Sequence, residues 1–175
     1  MTPIAHTAVG IGGWLAGTRK PVAGGLLAFV LAANLPDADF LLRLIPACKR
    51  SLPHQVVTHN LFFALLSVLL FLPLIRDLRE RWLLLAVAFS HPLLDLFVVD
   101  TVPPIGFPLL WPLSRRLFHV GGFPPLLRGD LNTLLSPANL VTLLLEIVVF
   151  VGPLWLLAGK RLRGLAGNPD FWRWR

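Results

Sequence analysis

The pentapeptide His91-Pro92-Leu93-Leu94-Asp95 lies inside the apolar run from Trp82 to Val99 and supplies the only ionisable side chains of that run. Residues four apart on a helix share a face, so His91 and Asp95 point the same way. A carboxylate in apolar surroundings is costly unless something compensates it. Two partners satisfy that demand. One is a metal ion, because imidazole and carboxylate both ligate zinc-like cations. The other is a His–Asp hydrogen bond that steadies two helices.

The surrounding composition sets the class. In 175 residues, enough for one domain with a substantial core, 55% are hydrophobic and only 14% are charged, against about 25% charged in ordinary soluble domains. There is too little polar material to cover a soluble globule, and the reading is a membrane protein. Met1 to Ala5 has no basic stretch, so no cleaved signal peptide is expected. Cys48 is the single cysteine and excludes an internal disulfide. The net charge of +7 is carried by residues at the ends of apolar runs rather than in an Arg/Lys stripe with interleaved aromatics. Lipid headgroups therefore explain it better than nucleic acid.

Taken in order, residues 4–17 form a short apolar segment containing His6, with Gly10, Gly13 and Gly17 permitting close helix packing. Residues 22–35 form a second, ending in Asn34-Leu35-Pro36-Asp37-Ala38-Asp39. Pro36 disfavours helix at Leu35, which leaves both aspartates in the following turn. Neither segment reaches the ~20 residues of a bilayer span, so a packed or re-entrant hairpin is expected. Then come His54-Gln55-Val56-Val57-Thr58-His59-Asn60, an apolar run to Ile75, a charged turn over 76–81, and the run containing His91 and Asp95. Residues 100–137 are rich in Pro and Gly and read as irregular or interfacial, with Trp111 at headgroup level. Residues 138–158 form the last span. No period-two pattern occurs. The expected fold is all-α: a multi-pass helical bundle over residues 1–160, with a basic, Trp-containing tail over 161–175.

Antiparallel connection of these segments puts Arg19, Lys20, Arg76, Arg79, Arg81, Lys160, Arg161, Arg163, Arg173 and Arg175 on one side, ten of 16 basic residues. The positive-inside bias assigns that side to the cytoplasm. The same connection brings His6, Asp37, Asp39, His54, His59, His91 and Asp95 toward the opposite end. Scattered structural histidines would not converge in this way, so the metal reading is favoured. Each residue has a simpler use as well. His6 can cap its helix, and Asp37 or Asp39 can serve as a turn residue, one binding metal and the other supporting it. His54 and His59 would lie about 140° apart on a continuous helix, so both ligate only if the helix begins between them. His119 reads as interfacial. Glu146, a lone carboxylate within Leu143–Val151, either lines the site or pairs helices.

These motifs resemble the YdjM-like family of membrane-bound, metal-dependent hydrolases, itself similar to the zinc-dependent phospholipase C superfamily. The resemblance covers roughly residues 3–118: His6 with its glycine-rich helix, Asn34 to Asp39, Thr58-His59 with His54, His91-x3-Asp95, and Gly106-x-Pro108-Leu109-Leu110-Trp111-Pro112-Leu113-Ser114-Arg115-Arg116. Gln55 stands where the family commonly has Arg, and Asn60 where it has Ser. The resemblance implies a bacterial inner-membrane location and two or more divalent ions, most simply zinc. It implies that Asp95 bridges, with His6 on one ion and His59 and His91 on the other. Asp37 would stand beside the attacking water. On the reading of the residues themselves, Asn34, Asp39, Thr58 and Glu146 are candidate supporting residues. The implied substrate is a phosphoester, lipid-linked or otherwise. Competing readings are a non-enzymatic membrane protein with a structural metal or a partner, and a transporter; the absence of a repeat argues against the last.

Overall fold

Side-chain caps set three of the helix starts. Asn60 accepts a hydrogen bond from Phe63 N at 2.8 Å, and Asp77 accepts from Arg79 N and Glu80 N at 2.9 and 3.1 Å. Ser136 accepts from Asn139 N, with Pro137 in the first helical turn, where its missing N–H costs nothing. The computed structural model describes residues 1–17, 23–39, 55–99, 105–123 and 135–166. His54, the chain between Asp39 and Gln55, and the tail beyond Ala166 lie outside the described residues.

The elements run α1 (Pro3–Gly17), α2 (Ala23–Asn34), a 3₁₀ turn (Leu35–Ala38), α3 (Leu61–Phe71) and α4 (Leu78–Asp95). A second 3₁₀ turn, Leu72–Leu74, closes α3. The last stretch comprises α5 (Pro137–Glu146), a π-helical turn (Ile147–Val151) and α6 (Gly152–Ala166). No strand occurs among the described residues, so the all-α expectation holds for them. Two boundaries differ from the pattern of apolar residues. The charged segment over 76–81 is not all turn, because the Asp77 cap starts α4 within it. In consequence His91 and Asp95 fall in the last turn of α4, beside the chain's irregular segments. At the other end, α6 carries helix into the expected tail.

α1 packs on α2, α4 and α6, while α2 and α4 also pack on each other and on α3. The core formed there includes Phe29, Ala32, Ala33, Val68, Leu84, Val87 and Ala88. Small residues on α1 make the close approach feasible. A Cβ on Gly10 would lie 2.9 Å from the Phe29 carbonyl oxygen, and one on Gly13 would lie 2.4 Å from a Val87 methyl. The first is a clash with backbone, which cannot rotate away.

One continuous helical stretch, Pro137–Arg161 (25 residues), is long and apolar enough to cross a bilayer. Gly24–Ala38 and Leu61–Leu74 are apolar but shorter. Large apolar side chains stay exposed on α3 (Phe62, Leu66, Leu69, Leu70) and on α5–α6 (Leu144, Val148, Trp155, Leu156). Faces of this kind suit contact with lipid rather than water.

Replacing Gly10 with Ala should lower stability by about 1–3 kcal/mol through overpacking against the α2 backbone. Gly24→Ala, whose added methyl meets nothing within 4 Å, should be neutral or slightly stabilising. Thermal unfolding in one detergent checks the pair.

Candidate metal centre

The carbonyls of a helix's last turn have no partner within the helix. One of these, Ala33 O at the end of α2, lies 2.7 Å from His91 Nδ1. A carbonyl only accepts, so the proton of that bond is on Nδ1 and His91 Nε2 presents a lone pair. His59 is prepared in the same way through two intermediaries. Its Nδ1 is 3.0 Å from Thr58 Oγ1, and Thr58 Oγ1 donates to Asp39 Oδ2 at 3.3 Å. The hydroxyl has one proton, given to the carboxylate, so it accepts from His59 Nδ1–H and leaves Nε2 facing inward. Gln55, with a left-handed φ of +72°, turns its backbone N–H onto Asp39 Oδ2 at 3.2 Å. A non-glycine residue is rarely placed there, and here the strain is spent on holding Asp39.

The freed nitrogens meet two carboxylates. His59 Nε2 lies 3.2 Å from Asp95 Oδ2, 3.3 Å from Asp37 Oδ1 and 3.2 Å from His91 Nε2. His91 Nε2 is 3.5 Å from Asp95 Oδ2 and 3.8 Å from Asp37 Oδ1. On the other flank, His6 Nε2 is 3.3 Å from Asp95 Oδ1, and the His6 ring stacks on His91 with centroids 3.8 Å apart. Asp95 therefore turns one oxygen to His6 and the other to His59 and His91. The α-amino group of Met1 also contacts Asp95 Oδ1.

Two overlapping sets could hold a divalent ion: His6, His91 and Asp95, and Asp37, His59 and His91. The fit is chemical as well as geometric. Buried His6 Nδ1 and Asp37 Oδ2 have no hydrogen-bond partner among the described residues, and His6 Nε2 has only its ion-pair contact with Asp95. Buried polar atoms left in that state call for an ion or water. Imidazole and carboxylate donors suit zinc and its neighbours.

Charge follows the same logic. Burial opposes a proton on His59, but hydrogen bonds to Asp37 and Asp95 outweigh it and push its pKa up to about 9. Burial likewise opposes charge on Asp37, yet the His59 hydrogen bond and the neighbouring imidazoles hold its carboxyl below the usual carboxylate range. Without a metal, then, a proton on His59 serves the converging acceptors.

Of the residues singled out in the sequence, His6, Asp37, His59, His91 and Asp95 come together. Asp39 and Thr58 stand behind His59. Asn34 bridges the first two helices, donating to Thr7 Oγ1 at 3.1 Å and to Val30 O at 2.8 Å. Glu146 does not enter either set. Its carboxylate accepts from Thr2 N at 2.9 and 3.1 Å and from Thr2 Oγ1, which ties the start of α1 to α5. His54 falls outside the described residues. Three contributors were not legible in the sequence: the Ala33 carbonyl, the Phe107 ring 5.9 Å from His59, and the Met1–Thr2 contacts. A backbone carbonyl and a Phe carry no chemical signature, so only the Pro36 helix stop hinted at a free carbonyl.

Comparison with known proteins gives one result. The model of a family described as YdjM inner membrane protein matches residues 1–161. No curated protein and no solved structure matches the chain.

Two outcomes are expected. Thr58→Val and Asp39→Ala should each weaken metal binding about 10–100-fold, as removal of an orienting partner does elsewhere; competitive chelator titration measures this. Because metal must displace the His59 proton, apparent affinity should fall about tenfold per unit as pH drops below ~9. Affinity independent of pH between 6 and 8 would contradict that linkage.

Proposed function

The chain belongs to the YdjM inner membrane protein family, and from that premise we propose that it is a multi-pass, metal-dependent hydrolase of phosphoesters, foremost lipid-linked ones. The observation carrying this reading is the meeting of three imidazole nitrogens and two carboxylates from α1, α4 and the turns after α2 and before α3. Two divalent ions, zinc in the first place, would be held by Asp95 together with His6 on one side and with His59 and His91 on the other. When bound, the metal supplies Lewis acidity, which acidifies water and neutralises charge on a phosphoryl oxygen.

The side chains divide the remaining work. Ala33 O and the Asp39–Thr58 pair hold His91 and His59 in the ligating tautomer. Asp37 is the most accessible of the five, with its side chain 12% exposed against 0–2% for the others. One oxygen pairs with His59 and the other is uncommitted, so Asp37 would take the proton from the attacking water. The ten-to-six distribution of basic residues supports a cytoplasmic tail and a site toward the opposite face.

The near-complete burial of the histidines also favours a second reading, in which the same metal is structural. Purified protein should contain at least stoichiometric divalent metal, lost in His91→Ala and Asp95→Ala. Asp37→Asn should reduce turnover of a chromogenic phosphodiester about 10²–10⁴-fold, the usual worth of a general base. Metal without turnover on phosphoester, ester and amide substrates supports the structural role. Folded protein devoid of metal sinks both.

A further inference from the structure

Residues 105–123 fold into a hairpin that the cluster does not explain. Its arms pair through Phe107 N to Phe118 O at 3.2 Å and Phe118 N to Phe107 O at 3.0 Å. Gly106, at φ +80°, is required there, since a Cβ would lie 2.3 Å from Phe118 O. The hairpin is bound to the helices at both ends. Leu61 N donates to Leu109 O at 3.0 Å, Val120 N and Gly121 N donate to Leu96 O at 2.9 Å, and Phe123 N donates to Phe97 O at 2.8 Å. Its turn is closed by Leu113 N and Ser114 N, both donating to Leu110 O. Trp111 packs edge-on against Phe62 of α3.

This rigid frame holds an unusual set of side chains in the open. Leu113 is 93% exposed and Val120 64%, with Ile105 and Leu117 also exposed. A soluble protein that braces a loop so firmly does not leave its tip apolar. Arg115 and Arg116 are exposed next to that tip, Arg116 lying over the Phe118 ring at 5.7 Å. No acidic residue occurs anywhere from Ile105 to Phe123. Apolar tip, flanking arginines and absent carboxylates together match one environment, the boundary between acyl chains and anionic headgroups.

We infer that the 105–123 hairpin is a membrane-surface reader whose apolar tip seats in the lipid interface while Arg115 and Arg116 hold the phosphate of an anionic headgroup. Guanidinium groups match phosphate in charge and in their forked geometry. The opposite end of the hairpin is Phe107, fully buried against His59. A lipid held at the tip is therefore docked on the element that walls the cluster. The use of that lipid as substrate rests on the hydrolase reading; its binding does not.

The test uses the full chain in lipid nanodiscs, with Cys48→Ser removing the native thiol and a spin label at Leu113→Cys or, separately, at Arg76→Cys. Leu113 is so exposed that labelling it should not disturb folding. The label at 113 should collide with oxygen more than with a water-soluble nickel chelate, and the label at 76 should show the reverse. Matching aqueous accessibility at the two positions would overturn the proposal. Spin-labelled phosphatidylglycerol should associate in preference to phosphatidylcholine. Arg115→Gln with Arg116→Gln should reduce that preference, by about fivefold per arginine if each contributes the usual surface attraction. Equal association of the two lipids with the unsubstituted protein overturns the headgroup assignment. So does full competition by millimolar inorganic phosphate, which assigns the arginines to a soluble anion. Phosphatidylglycerol preference in protein that turns over no phosphodiester would keep this inference and remove the hydrolase reading, so the failures of the two are separable.

Discussion

Everything at this end of the molecule follows from placing the Asp95 carboxylate, almost wholly buried, in the last turn of an apolar helix. Desolvating a carboxylate without compensation costs more than one domain's net stability can absorb. Compensation comes from four groups: His6 and the Met1 α-amino group on one oxygen, and His59 and His91 on the other. The two-sided arrangement makes Asp95 the hinge of the cluster. It also forces α1, α4 and the turn before α3 to meet, because each brings one of the imidazoles.

Such a meeting needs short helix-to-helix distances. Gly10 and Gly13 let α1 approach α2 and α4 closely, and His6, one turn nearer the start of α1, is thereby stacked on His91. The opposite wall is set by a helix stop. Pro36 ends α2 at Asn34, which frees the Ala33 carbonyl for His91 and turns Asp37 toward His59. Thus a packing device and a chain-breaking device, neither chemical in itself, set the geometry of the donor atoms. Orientation is then refined outside the cluster, where Gln55, Asp39 and Thr58 form a relay ending at His59. The relay costs a left-handed backbone at Gln55, which persists because the surrounding bonds over-determine it.

The membrane character and the cluster are connected physically. Ligands surrounded by apolar helices lose competing water, so their attraction for a cation is stronger than in bulk solvent. Among the described residues, the helix from Pro137 to Arg161 is the one with the length and apolarity of a span, and Glu146 within it is occupied by Thr2. That contact closes the bundle across the start of α1. The carboxylate is placed so as to brace the helix that carries His6.

The sequence alone determined the all-α class, the lipid-directed composition, the helix stop at Pro36 and the pairing of His91 with Asp95, because each depends on local periodicity or local sterics. It also singled out His6, Asp37, His59, Asp39 and Thr58, since polar residues in so apolar a chain are conspicuous. Tertiary structure alone decided which of Asp37 and Asp39 faces the cluster: both follow the same proline, and only the placement of Thr58 separates them. It likewise decided that Glu146 braces α1 rather than lining the site, and that a backbone carbonyl sets the His91 tautomer. The reason is common to these cases. A carbonyl, a phenyl ring or a carboxylate two residues from its twin acquires its role from what packs against it, and that partner lies far away in the chain.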